Sequence, residues 1–152
     1  MTKTKASFYI LHKNEQKAYD FYVCHVIEKA YLDGYCVYVN VDSLEEAQNF
    51  DIKLWTFRDI SFVPHEIYSQ NSNYCGSTKV FIGFRCVPLL KSNNNKNSIF
   101  LVNLSVEPPE FYKQFDNIIE VVHNNEELKK HSRKKYVFYQ KENLQIETIN
   151  IT

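Results

Sequence analysis

Apolar and polar positions along this chain switch between two periods. Ala6–Leu11 (ASFYIL) is a short apolar run and reads as a first strand. From Asn14 to Leu32 the apolar residues fall at helical spacing through Ala18, Phe21, Tyr22, Val26 and Ala30. Asp33-Gly34 closes that helix, glycine being suited to the left-handed position after a helix end. Tyr35–Asn40 (YCVYVN) is β-branched and aromatic, the composition of a buried strand. Ser43-Leu-Glu-Glu46 is a capping box and predicts a helix over about 43–54. Strand, helix, strand, helix in this order implies a parallel pair with a right-handed crossover.

The middle is less regular. Residues 54–68 (LWTFRDISFVPHEIY) are apolar, aromatic and broken by Pro64. Residues 69–77 read as a polar loop, and 91–98 (KSNNNKNS) as an Asn-rich loop. Lys79–Phe84, Ile99–Leu104 and Asn117–Val122 read as strands. Pro108-Pro109 opens a short helix, since proline is tolerated in a first turn. Asn124-Asn-Glu-Glu127 resembles a capping box for a last helix over about 125–141. Leu144–Ile151 alternates apolar and polar residues, as a half-exposed edge strand does. The whole reads as one three-layer α/β domain over residues 1–152.

Composition narrows the function classes. Lys+Arg and Asp+Glu each number 18, so the formal net charge is zero and a generally basic nucleic-acid coat is excluded. Gly34, Gly76 and Gly83 are the only glycines, and their scatter excludes GxGxxG and GxxxxGK[ST] phosphate loops. No apolar run approaches the length of a membrane span, and the run at Phe8–Leu11 is too short for a signal peptide. A cytoplasmic location is expected. Cys24, Cys36, Cys75 and Cys86 form no CxxC pair and read as free thiols. The histidines show no HxxxH or HExxH spacing, so neither a metal site nor a cofactor is expected.

Zero net charge hides opposed regions. Residues 40–70 hold Asp42, Glu45, Glu46, Asp51, Asp59 and Glu66 against Lys53 and Arg58. The last helix holds Lys129, Lys130, Arg133, Lys134, Lys135 and Lys141, with no acidic residue from Leu128 to Lys141. Lys129 and Arg133 lie one helical turn apart, with Lys130 and Lys134 on the next stripe. Cations toward a helix C-terminus are partly explained by the helix dipole. The functional reading is a docking face for an acidic peptide or a phosphate backbone. Tyr136, Val137, Phe138 and Tyr139 interleave apolar surface, which favours an acidic peptide with an apolar end.

A second candidate is the aromatic segment around Trp55, Phe57 and Phe62-Val63-Pro64-His65. Any one such aromatic belongs in a core first. Crowded into a proline-broken segment, they also suit a partner-binding patch. His65-Glu66 and Cys24-His25 have the residue types of catalytic pairs. Adjacent residues seldom point together, and no orienting third group is evident.

These motifs in this order resemble the chi subunit family of bacterial DNA polymerase III. The matching pieces are SFYIL, the Cys24-bearing helix, residues 33–67 with Leu54-Trp55 and Ser61-Phe62-Val63-Pro64-His65, and residues 128–139 with Arg133 and Tyr136. The resemblance implies a Rossmann-like α/β/α fold with a mostly parallel sheet and a C-terminal edge strand. It implies a non-catalytic clamp-loader subunit that joins the psi subunit and binds the acidic C-terminal tail of single-stranded-DNA-binding protein. By similarity the tail site is Lys129, Arg133, Tyr136 and Val122, with Lys130 and Lys134 beside it. The psi patch is Trp55, Phe62, Val63 and Pro64. Val137 stands where the family pattern has a further basic residue. Two other classes compete: a small Rossmann-like enzyme on a nucleotide or phosphometabolite, and a direct single-stranded-DNA binder of at most weak affinity.

Overall fold

Gly34 sets the end of the first helix. Its φ of +91° is the left-handed turn that lets the Gly34 N–H reach the Tyr31 carbonyl and the Tyr35 N–H reach the Ala30 carbonyl. In the computed structural model, which describes residues 4–12, 15–57, 63–68, 80–84 and 99–151, this helix is α1 (Gln16–Leu32). It follows β1 (Lys5–Leu11) and leads to β2 (Cys36–Val41). α2 (Leu44–Thr56) starts on the expected cap: Ser43 Oγ accepts from the Glu46 N–H at 3.2 Å, and Glu46 Oε2 accepts from the Asp42 N–H at 3.0 Å.

The remaining elements are β3 (His65–Ile67), β4 (Val80–Phe84), β5 (Ile99–Asn103), β6 (Asn117–Val122), α3 (Glu126–Lys141) and β7 (Gln145–Ile151). The strands form one sheet in the order β3-β4-β2-β5-β6-β1-β7, with every pairing parallel. The loop readings at 69–77 and 91–98 lie outside the described residues, as does Phe62.

Strand alternation sorts the core into two layers. Val37, Val39 and Val41 face one way with Val80, Ile82, Ile119 and Val121, under α1 and α2. Tyr38, Phe81, Leu101, Ile118 and Val122 face the other way, with Tyr139 of α3 and with Tyr112 and Phe115. This is the expected three-layer α/β/α arrangement. β7 is the expected edge strand, but it is apolar on both faces. Ile146 packs on the α3 side and Ile151 on the α1 side.

Three details differ from the pattern reading. β1 and β2 are parallel but not neighbours, because β5 and β6 lie between them. Periodicity gives direction and burial, not adjacency. The segment after Pro109 is a 3-10 turn, Tyr112–Gln114, closed by the Tyr112 N–H on the Pro109 carbonyl at 3.2 Å. β3 was not expected: its three residues are too few for a period, and pairing with β4 makes the strand.

Candidate functional site

α3 is positioned from its buried side. Asn125 caps it, with Oδ1 accepting from the N–H groups of Glu127 at 2.9 Å and Leu128 at 3.3 Å. Glu126 and Glu127 fill the first turn and complement the dipole. The buried seam is Lys135 and Tyr139, four residues apart. Both end on Glu120 of β6, which is 1% exposed. Lys135 Nζ lies 2.6 Å from Glu120 Oε1 and donates to the Ser105 carbonyl at 3.0 Å. Tyr139 Oη donates to Glu120 Oε2 at 2.8 Å, and Asn103 Nδ2 donates to the same oxygen at 2.8 Å. Asn40 Nδ2 continues the chain to Asn103 Oδ1 at 3.0 Å. Burial first, and then the Glu120 carboxylate, push the Tyr139 hydroxyl far above its ordinary pKa, so it stays a donor.

With that seam locked, the flank carrying Lys129, Arg133 and Tyr136 faces β1 and β7. A groove of about 410 Å³ lies there. Strand register lays its floor: Ile10 sits opposite Val122, and Phe8 opposite Thr148. Tyr136 also lines the groove, its ring centroid 5.3 Å from that of Phe8. Lys129, Ser132 and Arg133 form the helix wall. The groove is therefore apolar below and cationic at the rim. Such a shape receives an apolar side chain next to an anionic group.

The structure brings Lys129, Arg133, Tyr136 and Val122 together in this groove. Lys130 and Lys134 stand exposed and outside its lining, along with Val137. Lys135, one of the six cations of the same run, belongs to the core. Phe8, Ile10 and Thr148 also line the groove, with no site signal in the sequence. The alternation of β1 puts Phe8 and Ile10 on one face, but nothing local says which helix covers them.

Around Trp55 the surface is mixed. Trp55 is 42% exposed, and its ring lies 4.2 Å from the His65 ring. Pro64 is half-buried, while Val63 is in the core under α2. His65 Nδ1 contacts the Val63 carbonyl at 2.7 Å, and Nε2 lies 3.0 Å from an Asp51 carboxylate oxygen. His65 therefore braces the end of α2. Cys24 is fully buried while His25 is exposed, and burial pushes the Cys24 thiol up to about 12. Neither adjacent pair makes an activated nucleophile. A cavity of about 610 Å³ at the carboxyl ends of β2 and β5 is lined by Asp42, Glu107 and Glu110, a poor setting for a phosphate. Among the described residues, no three His, Cys, Asp or Glu side chains group to hold a metal, and no helix is long and apolar enough to cross a membrane.

Fold and site define a class: a three-layer α/β protein with an all-parallel sheet and an apolar, cation-rimmed groove under its last helix. The sequence model described as "DNA polymerase III chi subunit, HolC" matches residues 1–147, and the chain belongs to that family. It is 26% identical to the DNA polymerase III subunit chi of Pseudomonas aeruginosa over 139 residues, covering 91% of each chain. To the subunit chi of Haemophilus influenzae it is 29% identical over 136 residues, covering 90% of this chain and 89% of the relative. An accessory, non-catalytic role in DNA polymerase III fits this membership.

Proposed function

We propose that this chain bridges the clamp loader, through psi, to the acidic C-terminal tail of single-stranded-DNA-binding protein. It does so in the cytoplasm as one domain spanning residues 1–152. The observation that carries the reading is the groove under α3, where an apolar floor meets a cationic rim. Arg133 can grip the terminal carboxylate through a bidentate fork. Lys129 attracts the acidic residues before it. Phe8, Ile10 and Val122 receive the terminal apolar side chain. Lys130 and Lys134 act from the outer ridge, by long-range attraction rather than contact. Trp55 and Pro64 supply the exposed part of the psi patch, with Val63 supporting them from below and Phe62 completing it.

The test is anisotropy of a labelled tail peptide with a free C-terminal carboxylate, set against the same peptide amidated. The free acid is expected to bind at least about tenfold tighter, since charge-assisted hydrogen bonds are the strong ones. Equal binding removes the assignment of Arg133. Bare single-stranded oligonucleotide is expected to bind weakly at most.

A further inference from the structure

His123 follows β6 directly and is buried, with 6% exposure. Neither ring nitrogen has a hydrogen-bond partner among the described residues. A neutral imidazole carries one donor and one acceptor, and buried polar groups are almost always satisfied. The ring packs beside Tyr19 of α1, at 5.0 Å between centroids. It lines a cavity of about 40 Å³ together with Ser132 and Lys135 of α3. This cavity adjoins the groove, and Ser132 lines both.

Its place in the fold is specific. β1 and β6 are parallel neighbours, yet β1 leads to α1 on one face and β6 to α3 on the other. Ligands of doubly wound sheets bind at such a switch point, outside the strands' carboxyl ends. Ordinary ligand pockets run from about 300 to 1,000 Å³. This one is far smaller, yet it exceeds the roughly 10–15 Å³ that a cavity needs to hold one water.

We propose that the switch-point crevice is a bound-water site, holding one water or two between His123 and α3. The partners are at hand. An ammonium has three N–H donors, and Lys135 uses two, on Glu120 and the Ser105 carbonyl. Among the described residues the third has no acceptor, which leaves it for a water that also meets a His123 nitrogen. The Ser132 hydroxyl, which lines both this cavity and the groove, is a further partner. The water thereby ties the end of β6 to the helix that forms the groove wall.

A high-resolution crystal structure of the whole chain tests this directly. Expected is a water within about 3.2 Å of His123 Nδ1 or Nε2. A dry cavity, or a ring turned to bond a protein atom, overturns it. In solution, water relaxation dispersion should count at least one long-lived internal water, lost in folded His123→Phe. An unchanged count in that folded variant overturns the proposal. If His123→Phe does not fold, the wild-type crystal structure decides.

Discussion

Glu120 and Lys135 meet at 2.6 Å in the seam between α3 and the sheet, with side-chain exposures of 1% and 8%. Fifteen residues apart in the chain, they convert a helix with a charged exterior into one with a single orientation. Removing one member of such a pair leaves a buried uncompensated charge. Lys135→Ala is expected to lower unfolding stability by about 3–5 kcal/mol in urea denaturation. Lys134→Ala, one residue away and exposed, is expected to stay within about 0.5 kcal/mol of wild type. Equal losses would sink this account of the seam.

Lys134 also separates in binding from its other neighbour, Arg133, which lines the groove. Arg133→Ala is expected to weaken tail-peptide affinity by more than about fivefold, roughly 1 kcal/mol. Lys134→Ala should lower the association rate at low salt and little else, because outer charges steer rather than grip. Stopped-flow binding at two salt concentrations reads both effects. A normal affinity for Arg133→Ala contradicts the site.

Trp55 is the only tryptophan, so its emission reports its own surroundings. It is half exposed, with its ring tilted against that of His65. Addition of psi should shift its emission to the blue as the indole leaves water. The tail peptide should leave it unchanged, because the groove is lined by other elements. Trp55→Ala is expected to abolish psi capture while keeping the circular dichroism spectrum. Psi capture at wild-type level would remove Trp55 from that patch.

Gly83 of β4 is a packing glycine. A Cβ there would run into the hydroxyl end of Tyr38, which is fully buried among Tyr68, Phe111 and Phe115. Tyr38 has no room to yield. Gly83→Ala is expected to destabilise by about 1–3 kcal/mol, the usual cost of overpacking. Gly83→Ala combined with Tyr38→Phe should recover part of it, since the hydroxyl is the nearest clash. Thermal unfolding of the single and double variants checks both.

The Cys24 thiol has an ordinary pKa of 9.0, raised to about 12 by burial, with Asp20 adding to it. The fold therefore prefers the neutral thiol. That contribution is fully present below pH 9 and is lost as pH rises toward 12. At pH 8 the native chain should leave Cys24 unalkylated by iodoacetamide, while the denatured chain reacts at once. Mass analysis of the peptide carrying residue 24 reads the difference. Rapid native labelling would mean that α1 opens locally.

The groove shows where residue patterns run out. Arg133 and Lys129 stand out because like charges one turn apart are visible in a line of text. Lys135 looks the same there, yet it ends on Glu120. Its burial depends on which face of α3 meets β6, and that is a three-dimensional fact. Likewise Val63 and Pro64 are consecutive, and only packing under α2 separates a core residue from a half-buried one.

The chain alone determined the α/β class, the ends of α1 and α2, the buried strands and the two opposed charge regions. These are local properties: periodicity, capping and composition act over a few residues. Tertiary structure decided the strand order, with β5 and β6 between β1 and β2, and the three-residue β3. It decided that Phe8, Ile10 and Thr148 floor the groove, and that His123 is buried beside Tyr19 at the end of β6. Such facts depend on contacts between residues far apart in sequence, which chain closure and core packing select together and no local pattern encodes.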